Sequence, residues 1–192
     1  MKKLLITGFD PFGQDSINPS WEAVQALPDI VGVFALCKLQ IPTIFGQAAS
    51  AVLRKAEEFQ PDIILCVGQA GGRSAVTPER IAVNIRDARI PDNAGSQPKG
   101  EFVIPAGPAA YFATVPVSAM AEAVQKASLP AAVSNTAGTF VCNDVLYTLL
   151  HHYANTETKV GFLHVPYLPQ QGTPSLTLQQ IADALIAAIC AC

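Results

Sequence analysis

The side chains in this sequence best suited to nucleophilic chemistry are a cysteine and a histidine. Cys142 lies in the stretch Ser134–Tyr153, which opens on turn and cap residues: Ser134, Asn135, Thr136, Gly138 and Thr139. Val141, Val145, Leu146, Leu149 and Tyr153 then recur at three- and four-residue steps, the pattern of one buried helix face. Cys142 falls in the first turn of that helix, where backbone N–H groups lack partners and the dipole is positive. Such a place stabilises a thiolate and predicts a lowered thiol pKa. A cysteine on an apolar helix face also serves as a small buried hydrophobe, and spacing alone does not separate the two roles.

A cysteine nucleophile needs a base within hydrogen-bond reach. The chain has three histidines. His151 and His152 follow Cys142 on the same helix, and at 1.5 Å rise per residue they lie roughly 13 to 15 Å further along its axis. They suit the helix C-terminus, where cations complement the dipole. His164 ends the apolar run Val160–His164, and the carboxyl ends of parallel strands are where α/β sheets place ligands. Elimination therefore selects His164 as the base. A carboxylate should hold the imidazole. Asp10, Glu79, Asp87, Asp92 and Asp144 all sit near strand ends or turns, and the residues alone do not choose among them.

The elements that must position these groups read as alternating strands and helices. Leu4–Phe9 and Ile63–Val67 are apolar runs that suit strands covered on both faces. Ile30–Ile41 reads as a second strand region, and Ile81–Ile85, Val133 and Val160–His164 as further strands. Asn18 with Pro19 predicts a capped helix start. Thr43 and Ser175 are candidate caps for two more helices, and Val117–Ala127 reads as another. Residues 88–110, rich in Pro, Gly, Asn and Asp, predict a long functional loop. The pattern predicts an α/β fold with a central, mostly parallel sheet and helices on both faces, as one domain over residues 1–192. Gly68–Arg73 is a glycine-rich turn after a strand whose backbone N–H groups could cradle a phosphate, although it is neither a Walker motif nor Gly-x-Gly-x-x-Gly.

Half of the 192 residues are hydrophobic and 14% are charged, which suggests surface buried in an oligomer. A net charge of -3 and a pI near 5.5 give no electrostatic reason to expect nucleic acid. No apolar run is long enough for a membrane span or a signal peptide, so a cytoplasmic protein is expected. The five cysteines include no Cys-x-x-Cys pair, so neither a disulfide framework nor a zinc site is expected.

Seven segments carry a family resemblance. They are Thr7–Gly13 with Asn18–Trp21, Gly68–Arg73, Glu79–Arg80, Asp87–Asn93, Gly107–Phe112, Ser134–Asn143 and His164–Pro169. In this order they resemble pyroglutamyl-peptidase I, the pyrrolidone-carboxylate peptidases. The resemblance implies a three-layer α/β/α sandwich of the phosphorylase/hydrolase type, a homotetramer, and a cytosolic cysteine peptidase with neither metal nor organic cofactor. It implies a Glu79/Cys142/His164 triad, which supplies Glu79 and agrees with the other two choices. It also implies a pyroglutamyl pocket bordered by Phe9, Phe12 and Gln69, with Arg89 nearby. The substrate would be a peptide with an N-terminal pyroglutamate, cleaved through a thioester. The oxyanion would be met by the Val141 and Cys142 N–H groups and Arg89. Asp144, where the family commonly has His, and Arg86, where a basic residue is unusual, depart from the pattern. The alternative of another class is a non-catalytic module that binds cyclised N-termini or a small nucleoside-like ligand.

Overall fold

Three apolar strands form the centre, and their side chains alternate between two cores. The computed structural model describes residues 1–192. In chain order the elements are β1 (Lys2–Phe9), α1 (Pro19–Ala26), β2 (Ile30–Val31), β3 (Phe34–Ile41), α2 (Gln47–Phe59), β4 (Ile63–Gln69) and β5 (Thr77–Pro78). They continue with β6 (Ile81–Val83), β7 (Ala110–Phe112), α3 (Val117–Lys126), α4 (Val141–His152), β8 (Lys159–Val165) and α5 (Leu178–Cys190). The main sheet has six strands in the order β2-β3-β1-β4-β8-β5. β3, β1, β4 and β8 run parallel, while β2 and β5 are antiparallel edges.

Because successive strand residues face opposite ways, each strand feeds both layers. Leu4, Ile6, Leu65, Val67 and Leu163 pack with Val24, Met120 and Leu185 of α1, α3 and α5. Leu5, Ile64, Cys66, Val160 and Phe162 pack with Val52 and Leu146 of α2 and α4. The result is the expected α/β/α arrangement. The same parity matters for the site: Gly68 and His164 each lie two residues beyond a residue of the second core, so both face the α4 layer.

Local chemistry explains the ends. Asn18 caps α1, accepting from the Ser20 N–H at 3.1 Å, with Pro19 at the first helical position. Several expected boundaries differ. Ile30–Ile41 is not one strand: Gly32 at φ 57° turns the chain, and β2 folds back antiparallel on β3. Thr43 does not cap α2, which starts after Gly46; its N–H donates to Asp10 Oδ1 at 2.7 Å. Ser175 does not cap α5. Thr177 does, in a reciprocal box with Gln180. Val133 forms no strand; nearby, Ala131 and Ser134 make only isolated bridges to Val76 and Glu79.

Ile81–Val83 is a strand, but it pairs with β7 outside the main sheet. The Asn143 side chain, on α4, holds it there by accepting from the Val83 N–H and donating to the Val83 and Ile85 carbonyls. Residues 84–109 contain no helix or strand, and the Asn84 side chain braces them at Ile104 and Gly107. No helix is long and apolar enough to cross a membrane.

Candidate active site

A cleft of about 560 Å³ opens at the carboxyl ends of β1, β4 and β8. Cys142 and His164 both line it. Cys142 is the second residue of α4, half-buried at the cleft. Its Sγ lies over Gly68, 2.9 Å from where a Cβ would stand, and Phe162 closes the same space at 2.7 Å. Gly68 is the register partner of His164 on the neighbouring parallel strand. The absent side chain therefore lets the sulfur settle beside the histidine's strand.

His164 is 4% exposed, and its Nδ1 lies 2.7 Å from Glu79 Oε1. With Nδ1 donating to the carboxylate, Nε2 is the acceptor, the tautomer a general base requires. Glu79 arrives by a short route. β5 runs antiparallel beside β8, with Thr77 opposite His164, and the Glu79 N–H donates to the Phe162 carbonyl at 2.9 Å. Glu79 is 0% exposed. Burial opposes its charge, but His164, Ser134 and Arg73 outweigh that and hold its pKa below the usual carboxylate value.

The thiol departs from expectation. Burial pushes Cys142 up to about 12, with the Glu79 carboxylate and Cys66 adding to the rise and Arg73 opposing it. The sulfur's packing over Gly68 and Phe162 outweighs the helix N-terminus. Burial likewise lowers the His164 pKa, against the pull of Glu79. Burial thus favours the uncharged form of both groups, a thiol and a neutral imidazole, over an ion pair.

At the start of α4, Phe140 occupies the cap position and offers no side-chain hydrogen bond. The N–H groups of Val141 and Cys142 consequently have no acceptor within the protein. Arg89 is exposed, lines the cleft and makes no ion pair or side-chain hydrogen bond. Phe12 also lines the cleft, its ring 6.1 Å from Phe140, which in turn meets Phe45 edge-on at 5.3 Å. Phe9 is 2% exposed and belongs mainly to the core, tilted against Phe162 at 6.3 Å. The Gln69 amide is engaged at both ends. It donates to Asp15 Oδ2 at 3.0 Å and accepts from Gln171 at 3.0 Å.

Set against known proteins, the whole chain finds relatives. Residues 2–192 match the family model described as Pyroglutamyl peptidase. The chain belongs to the pyroglutamyl peptidase family. It is 51% identical over 194 residues to the pyrrolidone-carboxylate peptidase of Levilactobacillus brevis, covering 97% of this chain and 95% of that protein. The crystal structure of Bacillus amyloliquefaciens pyroglutamyl peptidase I superposes with a TM-score of 0.97 at 46% identity, covering 100% of this chain and 96% of the other. The pyrrolidone carboxyl peptidase of Thermococcus litoralis gives 0.94 at 38% identity, covering 100% and 93%.

Within this member of the pyroglutamyl peptidase family, the two departures from the pattern turn out to be partners. Arg86 Nε donates to Asp144 Oδ1 at 2.6 Å, and Asp144 Oδ2 accepts the Gly46 N–H at 2.8 Å. Each offsets the other's charge. His151 and His152 lie in the last turn of α4, as expected, and His151 Nδ1 lies 2.8 Å from the Tyr111 hydroxyl. Sequence reasoning missed Arg73, which ion-pairs with Glu79, and the aromatic wall of Phe140. Both stand inside quoted segments, but a turn arginine and a cap aromatic have no periodicity to mark them.

Proposed function

We propose that the protein is a cysteine peptidase that removes N-terminal pyroglutamyl residues from peptides, with Cys142 as nucleophile, His164 as base and then acid, and Glu79 as the group that orients His164. The observation that carries this reading is the buried Glu79–His164 hydrogen bond on the strand beside the Gly68 gap that receives the Cys142 sulfur. Family membership supports the substrate class.

Pyroglutamate is a flat, uncharged lactam without a free amine, so its pocket should be apolar with a few amide partners. Phe12 and Phe140 supply aromatic faces, with Phe9 beneath. The Gln69 amide is held by Asp15 and Gln171, which leaves one Nε2 hydrogen for the lactam carbonyl. As Sγ attacks the carbonyl carbon after the ring, His164 Nε2 takes the thiol proton, so no standing thiolate is required. The Val141 and Cys142 N–H groups and Arg89 receive the oxyanion. When it collapses, the C–N bond breaks, His164 protonates the leaving amine, and a thioester remains. Water then attacks with His164 as base, releasing pyroglutamate and restoring the thiol.

The test is release of the chromophore from a pyroglutamyl anilide by wild type and Cys142→Ser. Hydrolysis by wild type and its loss in the variant are expected. Binding of a pyroglutamyl analogue without turnover by wild type would overturn the reading in favour of a binding module. We propose also that residues 1–192 act as one peptidase domain in the cytoplasm and assemble as a homo-oligomer, a tetramer by resemblance. Support for assembly comes from the low charge and from the exposed rings of Phe102 and Phe112. Light scattering on the purified protein measures the assembly.

A further inference from the structure

Glu79 Oε1 serves two donors. It accepts from His164 Nδ1 at 2.7 Å and from Arg73 Nη1 at 2.5 Å. Nη1 also donates to Thr77 Oγ1 at 2.6 Å, and Nη2 donates to the Thr136 carbonyl at 3.0 Å. One guanidinium therefore touches the acid that holds the imidazole, the strand beside that acid, and the loop that leads into the nucleophile helix. Resting on the Glu79/Cys142/His164 reading above, we propose that Arg73 is a positioning residue for the reaction: it fixes the Glu79 carboxylate against His164 and ties that pair to the 134–139 loop ahead of Cys142.

Geometry supplies the first argument. Glu79 Oε2 is buried without a hydrogen-bond partner, so the carboxylate is oriented through Oε1. Without Arg73, Oε1 would keep His164 as its one donor, and rotation of the carboxylate would carry the imidazole with it. The planar, forked guanidinium spreads its donors over two nitrogens and reaches three acceptors on two segments, a geometry that a point-like ammonium does not fix. The Gly68–Arg73 turn is thus committed to the site. An anion cradled there would have to compete with Glu79 for Arg73.

Charge supplies the second argument. The groups around the imidazole are Glu79 and Arg73 from the segments flanking β5, Cys142 from α4 and Cys66 from β4. Asp87 and Arg89, from residues 84–109, line the same cleft. Arg73 counters the pull of Glu79 on the imidazole proton and offsets part of the rise at the thiol. Removing it lets Glu79 hold an imidazolium more firmly, so the neutral base is lost at a higher pH. A residue that only stabilised the fold would lower the folded fraction and leave the acid limb in place.

The experiment is the pH dependence of kcat/KM on a pyroglutamyl anilide, per folded molecule, for wild type, Arg73→Ala, Arg73→Lys and Thr77→Val, with Cys142→Ala as the blank. Arg73→Ala should lose on the order of 100-fold, the scale of a small misplacement of a catalytic group, and move the acid limb to higher pH. Arg73→Lys should return the limb towards wild type while the rate stays reduced, because it restores charge but not the fork. Thr77→Val should give a smaller loss. Wild-type rates with an unmoved limb in Arg73→Ala overturn the proposal. Should that variant not fold, wild-type rates in both Arg73→Lys and Thr77→Val overturn it equally. An inactive wild type, or an active Cys142→Ala, instead removes the triad reading and Arg73's role with it.

Discussion

Two carboxylates in this protein are fully buried and paired with an arginine, yet their surroundings differ. Asp144, in the first turn of α4, has both oxygens met: Oδ1 by Arg86 at 2.6 Å and Oδ2 by the Gly46 N–H at the start of α2. Arg86 also lies over the Phe45 ring, 5.8 Å from its centroid. Glu79 concentrates both donors on Oε1, leaves Oε2 unmet, and has a titratable imidazole as one partner. A carboxylate with both oxygens met ties elements together, here Arg86 and the start of α2 to α4. One with an unmet oxygen and a titratable neighbour retains the cost of an unsatisfied buried group, a cost that the role proposed for Glu79 accounts for. Burial and an arginine are common to both carboxylates; the unbalanced partner list is what sets Glu79 apart.

The largest expected effect of breaking this contrast is at Glu79. Glu79→Gln removes the charge that stabilises the imidazolium and permits the wrong tautomer, so kcat/KM should fall by about 10⁴-fold with little loss of fold. In wild type, burial holds the His164 pKa below its ordinary 6.5, and in the proposed mechanism the neutral form is the active one. The acid limb of kcat/KM should therefore lie below pH 6.5, with activity lost as pH falls through it. A limb well above 6.5 would contradict the neutral resting imidazole. Asp144→Ala should behave in the opposite way. It leaves Arg86 and the Gly46 N–H without partners, and breaking a buried pair costs about 3 kcal/mol when one member is partly exposed. For a chain of this size that is roughly 6 to 12 °C in Tm, readable by calorimetry, with kcat/KM per folded molecule nearly unchanged.

The same contrast shows what could be read from residues alone. Leu4–Phe9, Ile63–Val67 and Val160–His164 announced central parallel strands because a strand covered on both faces must be apolar throughout. Asn18-Pro19 announced a helix start because a cap and its proline are local chemistry. Gly32 hid inside an apolar stretch, so the β2–β3 hairpin looked like one strand. The Thr177–Gln180 box was legible, yet Ser175 drew the cap instead. At the site, Cys142 followed from its helix and His164 from elimination. Glu79 came only from resemblance, since nothing local says that β5 runs back beside β8. The lowered thiol pKa failed for a related reason: the helix N-terminus is a local feature, whereas the burial that outweighs it is made by Gly68 and Phe162 from two other strands.

Gly68→Ala tests that tertiary feature and carries the next effect. A Cβ would stand 2.9 Å from Cys142 Sγ and 2.7 Å from the Phe162 ring, so the sulfur must shift. A displacement near 1 Å typically costs about 100-fold in rate, and iodoacetamide labelling of Cys142 should change with it. Unchanged kinetics would mean that the sulfur's place over the β4–β8 pair is not what aligns it.

The smallest effect is the sharpest control, since it repeats the Glu79→Gln chemistry at the other carboxylate. Asp144→Asn removes a charge but keeps an oxygen for the Gly46 N–H, and Arg86, with 24% of its side chain exposed, can turn to water. The loss should be about 1 kcal/mol, the scale of one hydrogen bond. The acid limb should not move, because the Asp144 oxygens are bound to Arg86 and the Gly46 N–H and not to Glu79 or His164. If amide replacement at Asp144 shifted the limb as replacement at Glu79 does, the two buried pairs would belong to one electrostatic unit. The distinction drawn between a satisfied carboxylate and an unbalanced one would then fail.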